Sequence, residues 1–396
     1  MRDDVFRQAG VSRRTLLAGG LALAAAPALP TAAPMSSLDR RTAVGWGYNW
    51  GGQLGIGGYE SLTAAKPAIG MTKGIRQVSV GTNTMLLLTD EGEVWVAGSD
   101  TLGVEDTAPA LAPIRIPGLS GIVHVSAGAS HCVAVRSDGT ALAWGENLVG
   151  QVGNGTQSYH QNLPAPMVGV TDAVKASAGA GHTLLLRADG TALACGNGTS
   201  GAIGNGLDTI APTPVPVYGL HGITDISAGE GLSLALCGEQ AVAWGRNDRG
   251  QVGDGTTEDR YTPVACRLNR DVRAISAGYK HCLAIVGTGH IAVWGDGADA
   301  RLGEVSLPPE GYLVEPTIMD HSSNFWVEVS AGETFSLARS QSGVVHRWGT
   351  MIGDGNLPIT YWEGKKVDGI EKAIQIEAGR LSAAAIDDRS GVNYPK

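Results

Sequence analysis

The sequence predicts an all-β protein: a seven-bladed β-propeller with four-stranded blades, the last blade closed by the N-terminal strand. Two periodic markers and the mismatched chain ends predict it. The first marker is Trp-Gly, at Trp46-Gly47, Trp144-Gly145, Trp244-Gly245, Trp294-Gly295 and Trp348-Gly349, with Ala97-Gly98 and Cys195-Gly196 as degenerate copies. Their glycines stand 51, 47, 51, 49, 50 and 54 residues apart. The second marker is a small-residue segment of the same period: VSVG ending at Gly81, VSAG at Gly128, ASAG at Gly179, ISAG at Gly229 and Gly278, VSAG at Gly332 and IEAG at Gly379. Repeats of this length that carry short strands and turns mark a propeller. At the ends, Ile374–Gly379 and Ser382–Ile386 stop without a Trp-Gly strand, while Thr42–Gly47 is a Trp-Gly strand without predecessors. One blade shared by both termini satisfies both and leaves no open edge.

Within the second repeat the strands follow in order. Val123–Gly128 is an apolar strand that ends in small residues suited to a crowded axis, and His131–Val135 is the next strand. Ser137-Asp138-Gly139 supplies a hairpin turn, and Ala141–Trp144 runs back. A glycine-rich loop, Asn147 to Gly155, leads to a proline-flanked edge strand near Leu163–Val168. Proline suits an edge, where its missing N–H costs no ladder bond. The 58 glycines among 396 residues are about twice the usual share of ~7%, as many tight turns require.

Residues 1–36 form a separate targeting segment ahead of a single domain, 37–396. Ser12-Arg13-Arg14-Thr15-Leu16-Leu17 opens a modestly apolar Gly/Ala-rich stretch, the pattern of a twin-arginine export signal, and a bacterial secreted or periplasmic address is expected. Gly19, Gly20, Pro27 and Pro30 interrupt that stretch, so stable membrane insertion is not expected. Net charge is −9; residues 1–36 carry four Arg and two Asp, so without them it is −11. That sign opposes nucleic-acid binding, which draws its affinity from cations on phosphates. Of five cysteines, Cys132 and Cys282 occupy equivalent positions in different repeats and Cys195 stands in a tryptophan position, so no essential disulfide is expected.

The pattern Trp-Gly-x-Asn-x-x-Gly-Gln-Leu/Val-Gly-x-Gly, best at Trp46–Gly57, Trp144–Gly155 and Trp244–Gly255, is followed by Ser-Ala-Gly-x-x-His at His131, His182 and His281. Together they resemble the regulator of chromosome condensation repeat family over about residues 42–387. The resemblance implies the propeller fold and, in the founding eukaryotic member, nucleotide exchange on a small GTPase and chromatin binding. An acidic chain with an export signal and no long insertion is not expected to do either. The Gly-Trp-Arg-His-Thr motif of the plant UV-B photoreceptor is absent. A secreted bacterial member inhibits β-lactamases through an aromatic-rich face; here, of the seven Ala-Gly loop pairs, only Tyr279-Lys280 holds an aromatic residue.

His131, His182 and His281 lie in separate blades, so they are expected to tie turns through backbone hydrogen bonds, not to share a metal. Gly196–Gly201 matches a dinucleotide pattern but no helix follows it. Asp254, Glu258 and Asp259 read as a solvated loop. No catalytic motif occurs, so no enzyme activity and no cofactor is expected. The strand directions put the Ala-Gly and Trp-Gly loops on one face. The candidate binding residues there are Tyr48, Asn49, Trp50, Glu146, Asn147, Arg246, Asn247, Arg249, Tyr279 and Lys280; Arg246, Arg249, Tyr279 and Lys280 read either as ordinary solvated charges or as a local anion-receptive patch. The expected function is a monomeric, exported, non-catalytic scaffold for a protein partner. Alternatives are an inhibitor of a secreted enzyme and an enzyme with its site at the axial channel mouth.

Overall fold

The computed structural model describes residues 41–105, 108–319 and 325–389, and the twin-arginine segment lies outside them. Seven four-stranded antiparallel sheets form a ring. Blade 1 comprises Ile75–Val80, Thr84–Thr89, Val94–Gly98 and Ala110–Arg115. Blade 2 comprises Ile122–Ala127, His131–Arg136, Ala141–Asn147 and Ser158–Pro166. Blades 3 to 6 repeat this order, with inner strands Ala173–Ala178, Ile223–Ala228, Val272–Ala277 and Trp326–Ala331. Blade 7 is built from both ends, in the order Leu62–Pro67, Arg41–Gly47, Ser382–Asp388, Ala373–Ala378. Arg41 pairs with Asp388 and the register holds unbroken to Gly47 with Ser382.

The N-terminal Trp-Gly strand closes the last blade as expected, and Leu62–Pro67 follows it as the outer strand. One sequence expectation is corrected. The outer strand of blade 2 is Ser158–Pro166, not Leu163–Val168, because the polar residues Ser158, His160 and Gln161 pair with Asn147, Glu146 and Gly145 ahead of an irregularity before Ala165. Its prolines and apolar residues mark only the second half of the strand.

The period-2 alternation of the inner strands turns one set of side chains toward the preceding blade and the other toward the following blade and the axial chamber. In blade 2, Ile122 and Val125 are buried, and with Leu86, Val96, Ile116, Cys132 and Trp144 they form a core layer between blades 1 and 2. Similar layers separate the other blades, including one that joins Ala43 and Ile386 to Ile75 and Leu87 across the closure. The Ala-Gly glycines pack carbonyl to Cα around the axis. A Cβ on Gly81, Gly128, Gly179, Gly229, Gly278, Gly332 or Gly379 would stand between 2.2 and 2.8 Å from the carbonyl oxygen of the next one. No larger residue fits, which is why the marker ends in glycine seven times.

Tryptophan in the Trp-Gly marker fastens four of the seven blades to the one before. Trp144, Trp244, Trp294 and Trp348 are buried, and their Nε1–H groups donate to the carbonyls of Thr101, Ala202, Gln251 and Arg301 at 2.7–2.9 Å. Those acceptors belong to the glycine-rich loops of the preceding blades.

Candidate binding face

The Ala-Gly and Trp-Gly loops do share one face. Glu146 N–H donates to Ser130 O at 2.8 Å, Arg246 N–H to Gly231 O at 2.8 Å and Asp296 N–H to Lys280 O at 2.9 Å. On this face the proposed residues divide into three groups.

Asn49, Asn147 and Asn247 do not face a partner, because each is fully buried. They organise the loops instead. Asn247 Oδ1 accepts from Val252 N–H at 2.9 Å, and its Nδ2 donates to Thr256 O and Glu258 O, both at 3.0 Å. Asn49 and Asn147 make the corresponding bonds to Leu54 and Val152. Asn247→Ala would leave several buried backbone groups unpaired at about 1–3 kcal/mol each. A loss of about 2 kcal/mol or more in denaturant unfolding is expected; an unchanged midpoint would contradict this role.

Arg246 and Tyr279 are already engaged, which dissolves the four-residue anion patch. Arg246 holds Asp248 through two bonds of 2.8 and 2.9 Å, with Glu230 at 3.8 Å. Tyr279, from blade 5, places its hydroxyl close to the side chain of Thr82 in blade 1, three blades away in a ring of seven. The tyrosine therefore spans the axis. Arg380 of blade 7 lies 5.8 Å over its ring and pairs with Glu333 of blade 6 at 2.5 Å.

Trp50 remains the most exposed aromatic of the set, at 60%, with Tyr48 tilted against it at a centroid distance of 5.7 Å. Asn83 of blade 1 lies close by, since a Cβ on Gly51 would meet the Asn83 side chain at 2.9 Å. Exposed Arg249 lies 5.7 Å over the Tyr312 ring, and Glu146 and Lys280 are half-buried.

His131, His182 and His281 are fully buried and tie blades, not turns. Their Nε2 atoms meet the hydroxyls of Thr183, Ser233 and Ser336 in the next blade at 2.8, 2.9 and 2.8 Å. Those hydroxyls donate onward to Gln151 O, Ala202 O and Arg301 O. With the hydroxyl hydrogen committed, Nε2 must be the donor and Nδ1 bare. Nδ1 has no partner in any of the three. Burial pushes the pKa of His131 down to about 3 and that of His182 to about 4, and lowers that of His281 well below its ordinary value. Thus the expected backbone hydrogen bond is replaced by a hydroxyl relay between blades. The Trp244 and Trp348 indoles share the last carbonyl of two of these relays.

Among the described residues no group of three or more His, Cys, Asp or Glu is placed to hold a metal. Asp254 is held by Arg260, and Asp259 accepts the Asn247 N–H. All five cysteines are free thiols, and burial pushes those of Cys132 and Cys195 up to about 12.

The seven shared-core blades, the closure by both termini and the loop-ordering asparagines define an RCC1-type propeller. A family model, the RCC1-like domain, matches residues 38–284, and the chain belongs to that family. It is 29% identical over 339 residues to the ultraviolet-B receptor UVR8 of Arabidopsis thaliana, covering 78% of this chain and 76% of that one. It is 26% identical to a secretion-regulating guanine nucleotide exchange factor of Bos taurus, covering 89% and 82%. It is also 25% identical to the human E3 ubiquitin-protein ligase HERC2, where it covers 83% of this chain but only 7% of that protein. Among solved structures, Prp20p of Saccharomyces cerevisiae superposes with a TM-score of 0.78 at 21% identity, covering 89% of this chain and 92% of that one. These structural likenesses bear on the fold alone.

Proposed function

We propose that the protein is an exported, non-catalytic scaffold that binds a protein partner through its Ala-Gly face, with Trp50 as the anchor. The observation that carries this reading is an exposed tryptophan backed by Tyr48 on a loop fixed by buried Asn49 and Gln53. Aromatic anchors on rigid supports concentrate binding energy, because little side-chain freedom is lost on docking. Arg249 and Lys280 add cationic contacts from blades 4 and 5. The charges around them are matched within the face, Arg246 by Asp248 and Glu230 and Arg380 by Glu333, which favours recognition over chemistry. Prp20p, which has the same fold, has binding properties toward Gsp1p and histones, so protein recognition has a precedent on this fold. The export reading rests on Arg13-Arg14.

The test is capture from the exported fraction of the producing organism, followed by calorimetry with the purified partner. Trp50→Ala should weaken binding at least tenfold, about 1.4 kcal/mol, with an unchanged melting temperature. Equal binding by Trp50→Ala and by Arg249→Ala/Lys280→Ala would remove this face from the proposal. Recovery of a small GTPase whose nucleotide release accelerates would replace the scaffold with an exchange factor. Arg13→Lys/Arg14→Lys should hold the protein in the cytoplasm, and undiminished export would refute the address.

A further inference from the structure

The inner strands line an axial chamber of about 290 Å³. That is room for roughly ten waters at about 30 Å³ each, and it lies at the small end of the ~300–1,000 Å³ range of small-molecule pockets. Six blades place a serine at the same level of the wall: Ser79, Ser126, Ser177, Ser227, Ser276 and Ser330. Each Oγ accepts an N–H from the next blade, such as Ala127 N–H to Ser79 at 2.9 Å and Ala378 N–H to Ser330 at 2.8 Å. The seventh position is Glu377, whose carboxyl lies beside the Ser79 hydroxyl across the blade 7–blade 1 seam.

The level next to it carries Gln77, His124, Lys175, Asp225, Ala274, Glu328 and Gln375. Its charges are matched in pairs: Lys175 with Asp225, and Glu328 with Arg339 at 2.6 Å. Glu377 makes no such ion pair among the described residues. At the Ala-Gly end the chamber is covered by Tyr279, which reaches from blade 5 to Thr82 and is braced by Arg380.

We propose that the axial chamber is a binding site for a small organic ammonium compound, its cation held by Glu377, its other polar groups by the serine ring, and its entry closed by Tyr279. The seventh serine would complete a uniform, neutral ring; a carboxyl there adds one negative group to a wall whose other charges already cancel. The ligand that completes this wall carries one positive charge and several hydrogen-bonding groups. Burial, with the Glu328 carboxylate facing it, pushes the Glu377 pKa up to about 8, while Lys175 and the Ser79 hydroxyl act the other way. His124 is neutral, its pKa pushed down to about 3. A cation entering at neutral pH therefore displaces a proton from Glu377. This site is separate from the Trp50 face and stands or falls independently of it.

The experiment compares matched probes on the full propeller: 4-amino-1-butanol against butane-1,4-diol, ethanolamine against ethylene glycol, and glucosamine against glucose. At least one amine should raise the melting temperature in a concentration-dependent way, and its neutral counterpart should not. For 4-amino-1-butanol, affinity should rise about tenfold per pH unit below pH 8, following ionisation of Glu377. Glu377→Ser, which the other six blades show to fit the ring, should weaken binding at least tenfold and abolish the pH slope. Tyr279→Ala should speed both entry and release. Equal binding by the neutral partners, amine binding that survives Glu377→Ser, or no response to any amine at millimolar concentration would each overturn the assignment.

Discussion

A chain that begins at Gly70 is expected to lose the cooperative melt of the intact ring. The deletion removes Arg41–Gly47 and Leu62–Pro67, two of the four strands of blade 7. With them go Val44, Trp46, Leu54 and Leu62, all buried in one core layer with Phe335, Leu337 and Ile376. At about 1.5–3 kcal/mol per large buried side chain, these four alone contribute roughly 6–12 kcal/mol. That is comparable to the whole stability of a domain, about 5–15 kcal/mol. The deletion also strips Ser382–Asp388 of its partner along seven residues and breaks the Arg41–Asp90 ion pair of 2.7 Å to blade 1. An exposed strand edge of that length invites intermolecular pairing. Calorimetry with size-exclusion chromatography measures both consequences. A truncated monomer melting within a few degrees of the intact propeller would mean that blade 7 is dispensable and that the closure does not hold the ring.

Much of this fold could be read from spacing alone, because two unrelated markers recur in step and the ends complement each other. The shared face followed from strand direction. What spacing could not give was the depth of each side chain. Asn49, Asn147 and Asn247 were placed on the surface because they stand in glycine-rich loops beside exposed positions. Their amides instead saturate buried backbone groups, a role that depends on how the loop folds back on itself. Arg246 looked free because its partner Asp248 is two residues away and loop geometry decides whether the two meet. Tyr279 lies where a face residue should, yet its length carries it across the axis to a blade 197 residues earlier in the chain. The serine ring, by contrast, has a sequence signature. Alignment of the seven inner strands puts Ser79, Ser126, Ser177, Ser227, Ser276 and Ser330 in one register with Glu377, and period-2 alternation sends that register inward.

The histidine relays make the second large prediction, which concerns acid. In the folded ring, His182 is neutral with a pKa near 4, against an ordinary value of 6.5 in the unfolded chain. Between those values the unfolded state binds more protons, so stability rises with pH across the window and falls as pH drops below about 6.5. Protonation would place a charged N–H at buried Nδ1, where no acceptor exists. The loss is about 1.4 kcal/mol per pH unit for each histidine inside its window. His131 follows the same course down to about pH 3, and His281 in the same direction. Glu377 works oppositely, because its raised pKa makes the fold lose stability as pH climbs from about 4.5 through 8. The whole-protein profile therefore mixes both signs, and a difference measurement separates them. His182→Gln cannot titrate, so its deficit relative to the parent, measured by urea unfolding, should shrink by about 3 kcal/mol between pH 7 and pH 4. The Glu377 contribution cancels in that difference. A deficit constant across the window would mean that His182 already reaches solvent or a counter-charge when folded, and the blade-to-blade relay would then not be the source of acid sensitivity.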